Sequence, residues 1–308
     1  MLFDRPLIYV TGKGGVGKTT VAASLGLAAA AQGKRTIVCE VADQDTISRA
    51  FAEAGVSGDR EHRLAEDLWA ITVDPQRALE EFLSKQLGAA PLMRTLTRSS
   101  AFQYFVAAAP GAKELITIAK IWELAQLERW TKASRTYDCV IVDAPASGHG
   151  LAMLTTPKTF GDIARVGPIQ RQAYKVRDML SDPDRIAYVA VALPEEMPVN
   201  ETLELQDKLV DAVGVELSAV VVNAVYPERF TRSEADAIRS AIPAGKPAPA
   251  LEAALSADAR ARSQATHVRR LRKESRAPVI TLPYLFEKEL GLDEYARLGK
   301  ALGRRLDG

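Results

Sequence analysis

Residues 9–20 read YVTGKGGVGKTT and continue an apolar run, LIYV, at residues 7–10. The segment Gly12–Thr19 fits the pattern G-x-x-x-x-G-K-[ST], in which a loop between a strand and a helix wraps around the phosphates of a nucleotide. Glycines let successive backbone N–H groups face the phosphates, and the N-terminus of the following helix adds a partial positive charge. The stretch therefore predicts a nucleotide-binding α/β domain.

The polar residues of this loop have distinct expected roles. Lys18 is expected to reach the β- and γ-phosphates of ATP, and the Thr19 hydroxyl to hold Mg²⁺. The predicted ligands are therefore ATP and Mg²⁺. The residues of the loop predicted to bind them are Gly12, Lys13, Gly14, Gly15, Val16, Gly17, Lys18, Thr19 and Thr20.

The bulk composition is that of a globular protein. The chain has 308 residues, of which 47% are hydrophobic and 26% charged. Its net charge of +1 predicts no general attraction to nucleic acid or to acidic membranes. The longest apolar stretch, VAASLGLAAAA, is about half the length of a membrane span, and the N-terminus has no signal-peptide pattern. We expect a cytoplasmic protein that neither binds nucleic acid nor inserts stably into membranes.

Short β-branched runs recur along the chain and are apolar on both faces, as expected of strands that helices cover on both sides. These runs are LIYV, RTIVCEV, LWAITV, DCVIV, IAYVAVAL, LSAVVVN and APVITL. Helical patterns separate them, at Thr19–Gln32, Pro75–Leu87, Val199–Val213 and Leu292–Leu306. The alternation predicts an α/β fold with a doubly wound, mostly parallel sheet of the P-loop NTPase kind. Two long intervals predict a helical subdomain, at about 76–135 and 151–185, inserted into a single domain that spans 1–308.

Several polar residues directly follow or close the predicted strands. They are the Gly12 loop, Glu40–Asp45, Asp143, Asn223 and Pro283. In an open α/β sheet the carboxyl ends of the strands form the ligand-binding edge. We therefore expect these residues to meet in one nucleotide crevice.

The form KGGVGKT resembles the deviant Walker A loop of the MinD, nitrogenase-iron-protein and ArsA class of ATPases. In that class the extra lysine, here Lys13, crosses a dimer interface and contacts phosphates bound by the other subunit. The resemblance implies a dimer, with a second copy or with a paralogue, in which Lys13 and Lys18 are catalytic. A cation delivered across an interface is worth about 10³-fold or more in rate, by analogy with arginine fingers.

The segment DAPASGHGLAML, residues 143–154, resembles switch II of ArsA and of the ATPase that delivers tail-anchored membrane proteins. The resemblance implies that Asp143 holds Mg²⁺ through water, and that a turn at Gly148 and His149 senses the γ-phosphate. The segment ALPEEMPVNETLEL resembles a family segment that ends in a Glu-Thr pair. Such segments occur in the family's order along nearly the whole chain.

Two further segments resemble the parts of this family that bind the base. VVVNAV places Asn223 at a strand end, where the asparagine of the family reads the adenine edge. VITLPYLFEKELG resembles the loop that covers the base, which places Pro283 and Tyr284 beside it. All three residues are therefore predicted to bind the nucleotide.

The chain departs from the family after the second predicted strand. In EVADQDTISRAF, Ala42 occupies the position of the aspartate that orients the attacking water. Asp45 is the preferred substitute and Asp43 the alternative, so both are candidate catalytic residues. Otherwise the enzyme hydrolyses ATP slowly or needs a partner subunit, because positioning of this kind contributes about 10²–10⁴-fold.

Cysteine chemistry separates the functions known in this family. Cys39 and Cys139 both lie in predicted core strands, so neither a metalloid site nor a zinc clamp between subunits is expected. The predicted function is a dimeric ATPase of the ArsA/Get type that couples its nucleotide state to a hydrophobic client helix. Met93, Met153 and Met179, beside SSAFQYFVAAAP, suggest a client groove, although apolar helical residues are more often core. A MinD/ParA-like positioning ATPase and an arsenite-pump subunit are the alternatives.

Two segments bear on the positioning alternative. The basic segment Arg260–Arg276 could contact DNA, but we interpret it as a solvated helix face. The tail LDEYARLGKALGRRL has leucines at helical spacing beside arginines, as in a membrane-docking helix. Its two glycines disfavour a free helix. The resemblance to ArsA implies that the last helix packs on the core, and we expect this packing.

Overall fold

The computed structural model describes residues 1–41, 47, 60–87, 111–131, 134–163, 166–242 and 248–306. The strands in these ranges are β1 (Leu7–Gly12), β2 (Thr36–Glu40), β3 (His62–Ala65), β4 (Leu68–Thr72), β5 (Cys139–Asp143), β6 (Ile186–Ala192), β7 (Ala219–Val225) and β8 (Val279–Pro283). The α-helices are α1 (Lys18–Ala30), α2 (Pro75–Leu87), α3 (Ala112–Leu124), α4 (Ser147–Ile163), α5 (Pro168–Leu180), α6 (Glu196–Val213), α7 (Arg232–Ala241), α8 (Pro249–Glu274) and α9 (Leu292–Leu306). A 3₁₀ turn, Leu2–Asp4, precedes β1.

The strands form one sheet in the order β3-β4-β2-β5-β1-β6-β7-β8. Every neighbouring pair is parallel except β3 with β4. All residues of β1, β2, β5 and β6 are buried, which explains why their sequences are apolar on both faces. The predicted doubly wound, mostly parallel sheet is confirmed. The edge strand β3 was not predicted, because HRLA is only partly buried and carries no clear alternation.

Helices cover both faces of the sheet, and successive residues of β1 show the division. Ile8 and Val10 face the layer formed by α1 and α9, where Leu25 and Leu298 complete the core. Leu7 and Tyr9 face the opposite layer. That second layer is formed by α3, α4, α6 and α8, each of which contacts a strand or a neighbouring helix. The alternation follows from the two-residue period of a strand.

The C-terminal helix α9 packs against α1, as expected. Tyr295, Leu298 and Leu302 form its buried stripe. Gly299 lies so close to α1 that a Cβ atom built on it would stand 2.6 Å from the backbone oxygen of Ser24. Gly299, one of the two glycines that weaken this segment as a free helix, therefore permits the close approach to α1. Among the helices described, none has the length and apolarity to cross a membrane.

The long intervals between strands contain α2, α3, α4 and α5, which pack on one another. Residues 88–110, including Met93 and the whole of SSAFQYFVAAAP, lie outside the described residues. Met153 and Met179 are almost completely buried in the core, so they line no exposed groove. Apolar side chains of this layer that are exposed lie instead at the ends of its helices. They are Leu127, Ile163, Val166 and Ile169.

A buried ionic cluster joins this helical layer to the sheet. The Glu123 carboxylate accepts hydrogen bonds from Lys120 Nζ at 2.9 Å and from Arg129 Nε at 2.6 Å. The backbone N–H of Trp130 donates to the same carboxylate at 2.7 Å. Burial alone would raise the pKa of Glu123, but the two cations outweigh it and hold that pKa below its ordinary value. The cluster is therefore charged and fully hydrogen-bonded, as a buried ion group must be.

Candidate nucleotide-binding site

The glycine-rich loop runs from the end of β1 to the start of α1. Gly12, Gly15 and Gly17 have φ angles of 148°, 81° and 90°, which side chains rarely allow. A Cβ atom at Gly12 would also lie 2.4 Å from the backbone oxygen of Val191 on β6. The glycines are thus required by the turn and by the packing of the loop against its neighbouring strand. They position backbone N–H groups at the N-terminus of α1, where an anion is stabilised.

Lys18 is the first residue of α1, and its ammonium group folds back over the loop. Its Nζ atom donates a hydrogen bond to the backbone oxygen of Lys13 at 3.0 Å. Burial lowers the pKa of Lys18, and the nearby Asp143 carboxylate partly opposes that shift. A half-buried cation above backbone N–H groups is suited to bind the terminal phosphates of a nucleotide.

Thr19 and Asp143 meet beside the loop because β1 and β5 are adjacent strands. Val10 is paired with Asp143 in the ladder, which brings the end of β5 to the start of α1. The Thr19 hydroxyl donates to Asp143 Oδ2 at 2.6 Å. Burial raises the pKa of Asp143, while Thr19 and Lys18 lower it in part.

The same pair fits a magnesium ion. Asp143 Oδ1 is buried and has no hydrogen-bond partner among the described residues. A hydroxyl and a carboxylate oxygen are ligands that Mg²⁺ accepts, directly or through water. The orphaned oxygen therefore supports the expected role of Thr19 and Asp143 in holding the ion.

These groups line a cleft of about 400 Å³. Its walls come from the glycine-rich loop, from the end of β2 and from the segment that leads into α4. The lining residues are Gly14, Gly15, Gly17, Lys18, Thr19, Glu40, Val41, Asp143, Ala144, Pro145 and Ala146. Ends of β1, β2 and β5 thus converge on one edge of the sheet, as the sequence predicted.

The segment predicted as a sensing turn is helical in the structure. Gly148 and His149 lie in the first turn of α4, and the side chain of His149 is exposed. The helix starts this early because the N–H of Gly150 donates to the backbone oxygen of Ala146 at 2.9 Å. The buried Tyr9 hydroxyl of β1 also donates to the backbone oxygen of Gly150, at 3.1 Å. This bond ties the first turn of α4 to the strand that carries the glycine-rich loop.

Asn223 contacts the glycine-rich loop from β7. Its side-chain amide donates to the backbone oxygen of Val16 at 3.1 Å and lies against Gly17. The residue lies inside β7, which continues to Val225, and not at the predicted strand end. The pairing of β7 with β8 is irregular at this point, and Ala224 has a φ angle of 57°. The irregularity is a local bulge, after which Val225 pairs with Pro283.

Tyr284 stands apart from the cleft, against a second recess of about 590 Å³. Its ring stacks on that of Tyr226, with centroids 4.6 Å apart, and its N–H donates to the backbone oxygen of Val225 at 2.9 Å. Pro283 ends β8 just before it. The structure therefore brings Asn223 to the loop but places Tyr284 beside the neighbouring recess.

Lys13 does not face its own cleft. Its ammonium group forms an ion pair with Glu201 Oε1 of α6, and its side chain is 48% exposed. Glu201 belongs to the Glu-Thr pair noted in the sequence, but that pattern gave no indication of this contact. Lys13 is thus held outside the cleft that contains Lys18.

The end of β2 contributes a residue without a predicted individual role. Glu40 is buried, lines the cleft, and its Oε1 atom accepts a hydrogen bond from the N–H of Ile47 at 2.9 Å. The three residues considered for water positioning, Ala42, Asp43 and Asp45, lie outside the described residues.

Both thiols are confirmed as core residues. Cys39 and Cys139 are free and fully buried, in β2 and β5. Burial raises the pKa of Cys139 to about 12, and it raises that of Cys39 as well. Protonated, buried thiols are poor ligands for a metalloid.

The chain is similar to several characterised or named ATPases. It is 30% identical to the ATPase BagA of Mycobacterium tuberculosis over 227 residues, which is 72% of this chain and 65% of that protein. It is 28% identical to a putative arsenical pump-driving ATPase of Halobacterium salinarum over 72% of this chain and 36% of that protein. It is 24% identical to the ATPase GET3 of Kluyveromyces lactis, over 70% and 71%. The chain thus spans about two thirds of the length of the mycobacterial relative.

The sequence profile of the ArsA ATPase family, described as anion-transporting ATPases, matches residues 5–169 and 161–241. These ranges include the glycine-rich loop, Asp143 and Asn223, which form the site described above. The chain therefore belongs to the ArsA family of nucleotide-binding ATPases.

Proposed function

We propose that this chain binds ATP with Mg²⁺, hydrolyses ATP to ADP and phosphate, and works as a dimer in the cytoplasm. The observation that carries the proposal is that the two lysines of the loop lie on different sides of the cleft wall. Lys18 lies in the cleft with Thr19 and Asp143, whereas Lys13 lies outside it and is held by Glu201. A cation in that position is available to a nucleotide bound by a second subunit.

The cleft supplies most of what phosphoryl transfer requires. Loop N–H groups and Lys18 would bind the phosphates, and Thr19 with Asp143 would hold Mg²⁺, which supplies positive charge against the phosphate oxygens. Water attacks the γ-phosphorus, a bond to the attacking oxygen forms, and the bond to the bridging oxygen of ADP breaks. Asp45, or else Asp43, is our candidate for orienting that water. Without such a group, turnover of the isolated chain would be slow.

Dimer closure would make hydrolysis conditional on a partner. In the proposed closed state, Lys13 leaves Glu201 and contacts the phosphates in the opposite subunit, which is a second copy or a paralogue. Charge spreads over the phosphoryl oxygens in the transition state, so a cation added there accelerates the reaction. Hydrolysis removes the γ-phosphate and releases the subunits.

We propose further that residues 76–135 and 151–185 act as a helical subdomain that responds to the nucleotide. Ile163, Val166 and Ile169 are 71%, 86% and 52% exposed at the junction of α4 and α5. They lie at the end of α4 and just after it, and α4 begins in the segment that resembles switch II. This supports a surface that a hydrophobic client helix covers in one nucleotide state. The name of the relative GET3 identifies it only as an ATPase, so the client rests on this surface and on the resemblance.

The decisive experiment measures ATPase rate against protein concentration. For the wild type, the rate per subunit should rise with concentration as dimers form. Lys13→Ala should lose this rise and fall by about 10³-fold at high concentration. Lys208→Ala is the matched control, because it removes an exposed, ion-paired lysine from α6. Equal and concentration-independent rates for wild type and Lys13→Ala would rule out the role across the interface.

A further inference from the structure

Four arginines surround a recess at the edge of the sheet, away from the nucleotide cleft. This recess is distinct from the one beside Tyr284, although its volume is also about 590 Å³. It lies between α8, the start of α7 and the last two strands. Arg262, Arg269 and Arg272 come from one face of α8, and Arg232 comes from the first turn of α7. Spacings of three, four and seven residues put side chains on the same side of a helix.

Three of these cations lack a carboxylate partner. Arg262 is neutralised by Asp258, at 2.7 Å, and also donates to the backbone oxygen of Phe230. Arg232, Arg269 and Arg272 form no ion pair with any described residue. Glu228, the acidic residue of the lining, stands close enough to Arg262 to affect its pKa. The recess therefore carries excess positive charge.

Two arginines of this region that do not line the recess are paired with carboxylates. Arg270 binds Glu274 at 3.1 Å, and Arg276 binds Asp207 and Glu216 at 2.8 and 3.0 Å. Arg260 of α8 also has no carboxylate partner among the described residues, but its guanidinium lies over the Tyr226 ring and does not line this recess.

The recess is also shaped for a compact ligand. Val225 of β7 and Val268 of α8 contribute apolar walls. Arg269 is steadied by a hydrogen bond to the Thr266 hydroxyl at 3.1 Å, so its guanidinium is already directed. Arginine presents a planar fork that matches two phosphate oxygens at once. A volume of several hundred Å³ is typical of small-molecule sites.

We propose that this recess binds a small molecule that carries two or more linked phosphate groups. Such a ligand would supply the negative charge that Arg232, Arg269 and Arg272 lack. The site is separate from the glycine-rich loop and has no assigned role in ATP hydrolysis. It therefore stands or falls independently of the function proposed above.

The test is calorimetric titration of the full chain with inorganic tripolyphosphate. Lys18→Ala serves as the background in every sample, so that the glycine-rich loop contributes little to binding. We expect one tripolyphosphate per chain, with an affinity that falls as salt rises. Arg269→Gln/Arg272→Gln should weaken binding at least about tenfold, because charge-assisted hydrogen bonds are lost.

Two further variants separate a built site from general charge. Arg270→Gln/Lys273→Gln removes the same charge from the same helix at the same spacing, and it should bind as tightly as the background. Arg269→Lys/Arg272→Lys keeps the charge but loses the fork, and it should bind with intermediate affinity. Equal weakening in the Arg270/Lys273 control would overturn the proposal, as would the absence of any tripolyphosphate binding. A single-stranded oligonucleotide that binds these arginines but is not displaced by tripolyphosphate would also overturn it, in favour of nucleic acid.

Discussion

Two glycines of α9 offer the same substitution in two different environments. A Cβ atom at Gly299 would lie 2.6 Å from the backbone oxygen of Ser24 and 3.4 Å from the backbone nitrogen of Ala28. A Cβ atom at Gly303, one turn later, would meet only Ala28 Cβ at 3.9 Å, an ordinary van der Waals contact. Replacement of each by alanine therefore measures the packing of α9 on α1.

The two substitutions should have opposite signs. Alanine in place of glycine stabilises a helix interior by about 0.5–1 kcal/mol, because it reduces the entropy of the unfolded chain. At Gly299 the added methyl must displace backbone, and overpacking of this kind costs about 1–3 kcal/mol. We expect Gly299→Ala to lower the free energy of unfolding by roughly 0.5–2 kcal/mol. Gly303→Ala should raise it by about 0.5 kcal/mol, since it lies in the fraying last turn.

Urea unfolding followed by circular dichroism measures both free energies, and Gly303→Ala is the matched control for Gly299→Ala. The slopes of the transitions should agree with that of the wild type, so that the midpoints compare stabilities directly. If Gly299→Ala stabilised the protein as much as Gly303→Ala, α9 would not be packed on α1. That result would favour the alternative of a free, membrane-docking tail.

Three other predictions concern the site. Burial raises the pKa of Asp143 above its unfolded value, so ionisation of this group lowers stability as pH rises through that interval. Asp143→Asn should therefore have a higher melting temperature than the wild type at pH 7 in EDTA, and the difference between the two melting temperatures should shrink towards pH 4. MgATP should raise the melting temperature of the wild type only. Glu201→Gln breaks the ion pair that holds Lys13. ATP-dependent self-association, measured by sedimentation velocity, should then strengthen up to about fivefold, which corresponds to the free energy of a partly exposed ion pair. Weaker association would show that Glu201 does not restrain Lys13. Gly12→Ala should lower the free energy of unfolding by more than about 2 kcal/mol, whereas Gly14→Ala, with no atom within 4 Å of its Cβ, should resemble wild type.

The sequence predicted most of the sheet because its central strands are buried on both faces. An uninterrupted apolar run such as IAYVAVAL is visible without any tertiary information. The edge strand β3 shows no such run, since it is only partly buried. Local patterns also predicted α1 and α9 closely, because a glycine loop and a leucine stripe bound them.

The site was predictable to the extent that it depends on strand ends. Gly12 and Asp143 were expected at one edge, but only the strand order shows that β1 and β5 are neighbours. The contact between Lys13 and Glu201 joins residues far apart in the chain and leaves no local pattern. The helical start of α4 was missed because the turn at Gly148 and His149 was expected from the family resemblance, and the backbone hydrogen bond that makes this segment helical leaves no pattern in the sequence.

The hydrogen bond from Tyr9 to Gly150 sets an energy threshold for any motion of the first turn of α4. Burial raises the pKa of Tyr9, so its hydroxyl stays protonated and always needs an acceptor. A shift of the first turn of α4 away from β1 would strand this hydroxyl, at a cost of about 1–3 kcal/mol. The resting position is thereby favoured roughly 5- to 150-fold. Only a ligand whose contacts with the displaced helix are worth more than that free-energy difference can hold α4 in the displaced position.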